Sequence, residues 1–145
     1  MRSAAAGSIN HVRLTVSELS VAERFYGPLL EYMGYQLEKK DQERLAWSVP
    51  DGYGGLRKFI LSATSPDSAN KKHDRLAPGL HHLGFNVSSR EAVDAFHRLL
   101  VSRDVHVLDA PAEYSYQPGY YAVYFLDPDG IKLEVVHIPS RSTEK

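Results

Sequence analysis

Two stretches of the chain, INHVRLTVSELSVAERFYGPLL from Ile9 and LHHLGFNVSSREAVDAFHRLLV from Leu80, are one pattern written twice. With His11 set on His82, an offset of 71 residues, Val16 falls on Val87, Ser17 on Ser88, Phe25 on Phe96 and Leu29 on Leu100. Leu14 meets Phe85 and Glu23 meets Asp94. In both copies apolar residues alternate up to the valine and then take helical spacing after the serines, and duplication accounts for a change of period at the same place. A chain written this way is constrained to fold as two similar modules.

Each copy predicts a strand, Ile9–Val16 and Leu80–Val87, followed by a helix. Ser20-Val-Ala-Glu23 and Ser88-Ser-Arg-Glu91 fit the capping box, in which a serine oxygen accepts a backbone N–H and the glutamate reaches back. Val21, Phe25, Leu29 and Met33, and then Val93, Phe96, Leu99 and Leu100, form the helix faces to be buried, with Gly34 and Asp104 at the helix ends. Shorter strands follow at Gln36–Lys40, Arg44–Val49 and Leu56–Ala63, and again at Val105–Leu108, Tyr120–Leu126 and Ile131–His137, with DPDG as a tight turn. The fold predicted is α+β: two tandem βαβββ modules forming a cupped mixed sheet with helices on the outer face. A single domain covers about 8–138, with modules at about 8–63 and 80–138 and a surface crossover at 64–79.

Lys+Arg of 17 against Asp+Glu of 18 gives a net charge of −1, so no general electrostatic attraction to nucleic acid or an anionic membrane is present. The partner predicted is a small-molecule substrate. No run reaches the length of a membrane span and the N-terminus lacks the apolar region of a signal peptide, so the protein is read as cytoplasmic. The absence of cysteine removes thiolate nucleophiles and Cys-ligated metals. Any metal must be held by His, Asp or Glu.

Alternation sorts the faces of each strand. Val12, Leu14 and Val16 lie under the first helix, which turns His11, Arg13 and Thr15 the other way. Leu83, Phe85 and Val87 take the helix side of the equivalent strand together with His81, leaving His82, Gly84 and Asn86 opposite. In the last strand Ile131, Leu133 and Val135 pack inward, and Lys132, Glu134 and Val136 face away. Two imidazoles and one carboxylate, His11, His82 and Glu134, therefore share the face opposite the helices. That is the composition of the 2-His-1-carboxylate triad, which holds a divalent ion and leaves positions open for water, substrate or dioxygen. The same residues admit a structural alternative in which the histidines bond to neighbours and Glu134 pairs with Arg13.

The doubled βαβββ unit, the histidine on the first strand of each half and the closing YFLDPDGIKLEVV resemble the vicinal oxygen chelate superfamily over nearly the whole chain, Ser8 to about Ile138. That superfamily includes glyoxalase I, extradiol ring-cleaving dioxygenases, methylmalonyl-CoA epimerase, fosfomycin-resistance enzymes and bleomycin-binding proteins. The resemblance implies metal ligands at His11, His82 and Glu134, one divalent ion of the Fe, Mn, Ni or Zn kind, and a homodimer. A fourth ligand used by glyoxalase I and the epimerase would come from LRKFILSA, which holds no carboxylate, histidine or glutamine. Three ligands are what the dioxygenases and fosfomycin enzymes show.

Tyr124 lies ten residues before Glu134, a spacing that resembles that of the dioxygenase active-site tyrosine, and shares a face with Tyr120 and Ala122. It is the candidate catalytic residue with Glu134; Arg13 and Tyr120 are candidate substrate-binding residues. No motif selects an acid–base histidine among His73, His97 and His106. The loop APAEYSYQPGYY, Ala110 to Tyr121, carries four of the nine tyrosines, which suit either a cover that sorts substrates by shape or a long loop ordered by its own ring packing. The leading reading is a metal-dependent enzyme acting on a small oxygenated organic substrate, with dioxygenase-type chemistry. A glyoxalase-like lyase, isomerase or epimerase and a drug- or metabolite-sequestering protein akin to the bleomycin-binding members are the alternatives.

Overall fold

The computed structural model describes residues 7–140. It divides into two compact units between Lys71 and Lys72. The first contains β1 (His11–Val16), α1 (Leu19–Tyr32), β2 (Gln36–Lys40), β3 (Arg44–Pro50) and β4 (Leu56–Ala63). The second contains β5 (Leu83–Asn86), α2 (Arg90–Ser102), β6 (Val107–Glu113), β7 (Tyr121–Leu126) and β8 (Lys132–His137). This is the α+β, βαβββ arrangement twice over, as the repeat predicts. Among the described residues no helix is long and apolar enough to cross a membrane.

The sheets repeat the same order, β1-β4-β3-β2 and β5-β8-β7-β6. In each, the first and last strands of the module run parallel and the remaining pairs antiparallel. A parallel neighbour cannot be reached by a tight turn: the helix carries the chain across to the far edge strand, and two antiparallel steps bring it back beside the first. The outer strand β2 is exposed along its whole length and carries Glu38, Lys39 and Lys40, charges that discourage another chain from pairing there.

Packing beneath the helices follows the alternation. Phe59, Leu61, Leu45 and Trp47 are buried in the first module, and the ring of Tyr26 on α1 lies 5.2 Å from that of Phe59. In the second, Val93, Phe96 and Leu100 are fully buried over Leu133, Val135, Val123 and Phe125, with Phe96 and Phe125 ring centroids 5.7 Å apart. The α1 face is rotated from the sequence expectation. Ala22, Tyr26, Leu29 and Leu30 are buried, whereas Val21, Phe25 and Met33 are only partly covered. Tyr26 accounts for the shift, because its large ring buries more area against the sheet than a branched aliphatic would.

Both helix starts also correct the capping expectation. α1 begins at Leu19 with Glu18 at its cap and no side-chain cap bond, while the Ser20 hydroxyl donates to Glu18 Oε1 at 2.8 Å. α2 is capped by Ser89, not Ser88: Ser89 Oγ accepts from the Ala92 N–H at 3.0 Å. Glu91 then sits one position too early to reach back. The ends fall where expected, with left-handed φ at Gly34 (94°) and Asp104 (55°). The cap makes a direct test: Ser89→Ala should cost about 1 kcal/mol in urea denaturation and Ser88→Ala close to nothing. The reverse order would return the cap to Ser88.

Candidate active site

β8 carries a carboxyl into the protein interior. Glu134, only 3% exposed, lies on the face of the second sheet opposite α2, as alternation predicts, and a group this desolvated needs hydrogen-bonding partners. It has two. His82 Nε2 is 3.2 Å from Oε2, and the Tyr120 hydroxyl donates to Oε1. Gly84 stands beside Glu134 in the β5–β8 register, where an added Cβ would lie 3.4 Å from Oε2. The neighbouring strand thus comes within ordinary van der Waals contact of the carboxyl. Arg13, the alternative partner considered from sequence, donates instead from Nε to Ser62 Oγ at 2.6 Å.

The histidines are held in a way that the sequence reading missed. β5 begins at Leu83, so His81 and His82 both precede it, exposed. Outside the ladder, alternation no longer governs them, and His81 is not under the helix. Its ring packs edge-on to His82, with the two Nδ1 atoms 2.8 Å apart. In the first module His11 opens β1, and its Nδ1 is 2.9 Å from Asn10 Oδ1. Asn10 and His81 are equivalent under the 71-residue offset. In both copies, therefore, the residue before the histidine engages Nδ1 and leaves Nε2 directed elsewhere, the outer support that orients imidazole ligands. The signal was present in the sequence as a hydrogen-bonding residue at the same place in each copy.

The duplication is broken beside these histidines. Arg13 pairs with Ile60 in the β1–β4 register, and Gly84 pairs with Glu134 in β5–β8. Ile60 thus occupies the place in the first module that Glu134 takes in the second. Lys58, opposite His11, is bound 3.1 Å from Glu38.

Tyr124 is directly opposite Glu134 across β7–β8, and its ring centroid is 6.0 Å from that of His82. Burial, the hydrogen bond it gives Tyr120 and the nearby Glu134 carboxyl hold its phenol well above the ordinary range. Burial and the bond to Glu134 likewise push Tyr120 up to about 12. Both are neutral donors at physiological pH. Tyr120 owes its place to Gly119, at φ 75°, where an added Cβ would meet Pro139 Cγ at 2.6 Å. Of the other histidines, His97 lies on α2 and His106 is exposed just before β6. His73 is structural: its Nε2 donates to the Leu80 carbonyl at 2.8 Å and its backbone N–H to Asp129 O at 2.9 Å, fixing the chain that leads into His81 and His82.

Among the described residues no group of three or more His, Asp or Glu side chains able to hold a metal ion is assembled. Within the second module the donors brought together are one imidazole nitrogen of His82 and one carboxyl oxygen of Glu134, with Tyr120 bracing the other oxygen. This donor set fits part of a site for a borderline divalent cation.

Residues 8–135 match the family described as the Glyoxalase/Bleomycin resistance protein/Dioxygenase superfamily. The chain belongs to this superfamily. Among its relatives, YqjT, an uncharacterized protein of Bacillus subtilis (strain 168), is 32% identical over 129 residues, covering 88% of this chain and 97% of that protein. The crystal structure of a candidate glyoxalase from Bacillus halodurans superposes with a TM-score of 0.78 at 27% identity, covering 92% of this chain and 97% of the other. A lactoylglutathione lyase from Agrobacterium tumefaciens shares the superfamily fold, with a TM-score of 0.64 at 19% identity and coverage of 92% and 95%.

Two measurements probe the carboxyl's surroundings. Tyr120→Phe leaves Glu134 Oε1 without its donor inside the protein, and should lower stability by about 1–3 kcal/mol in denaturant titrations. A loss below a few tenths would mean that water replaces the hydroxyl. In a phenolate absorbance titration Tyr120 should ionise near pH 12 rather than 10. Because the folded value is the raised one, its contribution to stability is complete below pH 10 and declines as the pH rises from there toward 12.

Proposed function

We propose that the protein is a metal-dependent vicinal-oxygen-chelate enzyme acting on a small oxygenated organic substrate, with dioxygenase-type chemistry. His11, His82 and Glu134 would hold one divalent ion, which when bound supplies a Lewis acid that takes two neighbouring substrate oxygens and, if iron or manganese, can also activate dioxygen. The observation that carries this reading is the duplicated support of the histidines, Asn10 for His11 and His81 for His82. Asn10 Oδ1 can only accept, so His11 donates from Nδ1 and keeps the Nε2 lone pair for a ligand. A packing histidine has no need of such a partner in each copy.

The protein's own groups then have distinct parts. Tyr120 orients Glu134. Tyr124, a phenol kept neutral beside the carboxyl, would donate to a substrate oxygen as charge grows there. Arg13, with its Nε on Ser62, has its remaining N–H groups for a substrate anion. The homodimer implied by the resemblance is part of the same proposal.

The lyase or isomerase alternative is weakened by Ile60, since a fourth, carboxylate ligand that could also move a proton has no counterpart at the place equivalent to Glu134. Elemental analysis after mild purification, followed by reconstitution, tests the proposal. His82→Ala should bind a divalent ion at least about tenfold more weakly while keeping the wild-type circular dichroism spectrum. Tyr124→Phe should keep the metal and lose about two orders of magnitude in turnover, with dioxygen uptake on a panel of vicinal diols as the assay. Full loading of His82→Ala would overturn the ligand assignment. Proton exchange on a hydroxyketone without dioxygen uptake would establish the lyase or isomerase reading instead, and a protein that takes up no metal yet binds small molecules would be a sequestering protein.

A further inference from the structure

The second module carries more aromatic surface around Glu134 than the support of one carboxyl requires. Tyr114 and Tyr116 stack with planes 1° apart and centroids at 5.6 Å. Tyr114 meets Tyr124 edge-on at 5.5 Å, and Tyr116 meets Tyr120 at 5.2 Å. The loop that bears them is closed by its own backbone bonds, Tyr114 N–H to Tyr120 O at 3.0 Å and Tyr120 N–H to Gln117 O at 3.2 Å. The rings therefore form a wall before any ligand arrives. Tyr116 leaves 68% of its surface exposed.

A cation flanks the wall. Lys132 precedes Glu134 by two residues on the same face of β8, and its Nζ lies 4.5 Å over the Tyr124 ring. It is only partly exposed, and among the described residues no carboxylate pairs with it. The only acid on this face of β8 is Glu134, already engaged by His82 and Tyr120. An ammonium held in place over a ring, beside a buried carboxyl it does not neutralise, is set for an anion from outside.

We propose that this module binds a planar aromatic carboxylate, its ring against Tyr114 and Tyr116 and its carboxylate at Lys132. This names the substrate class of the site and rests on the function proposed above. A carboxylate is favoured over a phosphate because the ammonium held over Tyr124 matches a single negative charge.

Calorimetric titration of metal-free and metal-loaded protein with benzoate, benzamide, cyclohexanecarboxylate and phenyl phosphate tests the proposal. Benzoate should bind about tenfold tighter than benzamide, which lacks the charge, and tighter than cyclohexanecarboxylate, which lacks the flat ring. Lys132→Met, which keeps an apolar stem over Tyr124, should bring benzoate to the level of benzamide. Tyr116→Ala, at an exposed position, should weaken benzoate and benzamide together. Equal binding of benzoate and benzamide, an unchanged Lys132→Met protein, or phenyl phosphate as the tightest ligand would overturn it. If the protein takes up no metal but keeps its preference for benzoate, the metalloenzyme reading fails while the aromatic carboxylate site stands.

Discussion

The organisation of the second module turns on removing the Glu134 carboxyl from water. A desolvated carboxyl without partners costs several kcal/mol, so the strands around it are arranged to answer both oxygens. Gly84 on β5 lies against it, His82 just before β5 meets Oε2, and Tyr120 just before β7 donates to Oε1. Tyr120 is itself set by Gly119, whose positive φ and contact with Pro139 allow no side chain. Two short segments far apart in sequence, 82–84 and 119–120, are in this way tied to one group, with Pro139 behind the second. Had stability been the only requirement, an apolar residue among Leu133, Val135 and Val136 would have met it with fewer constraints.

The first module shows what the same scaffold looks like without that requirement. At the place of Glu134 it has Ile60, and at the place of Gly84 it has Arg13. At that neighbouring position the first module holds a long side chain, and Arg13 finds Ser62 on the same face. What both modules keep is the histidine and the residue before it that engages Nδ1. Duplication thus preserved the orientation of the imidazoles while the partner strand diverged, which accords with function residing in a site grafted on a fold rather than in the fold.

Much of this was legible because the repeat and the strand period are strong signals. The two βαβββ modules, the helix sides of β7 and β8, the helix ends at Gly34 and Asp104, and the placement of Glu134 on the face opposite α2 all follow from side chains alternating across strands or recurring around helices. What escaped was local and cooperative. Ser88 and Ser89 are adjacent, and only the backbone geometry decides which one caps α2. Tyr26 outweighs Phe25 in the α1 core because its neighbour is Phe59, a fact about the register of β4 and not about α1. His81 was assigned to the wrong side since alternation was carried past the end of the strand, where His73 and the turn at Asp129 direct the chain instead.

The same distinction separates the two parts of the site. Glu134 and Tyr124 face each other because a ladder of hydrogen bonds fixes their register, so their relation could be inferred by counting residues. The aromatic wall has no such rule behind it. Tyr114 and Tyr116 are brought against Tyr120 and Tyr124 by a loop whose conformation depends on Gly119, Gln117 and the rings themselves. In the proposed function, selection among substrates falls to Tyr114 and Tyr116, loop residues other than the Tyr120 that holds the carboxyl, and loop variation of this kind is how one scaffold supports many reactions.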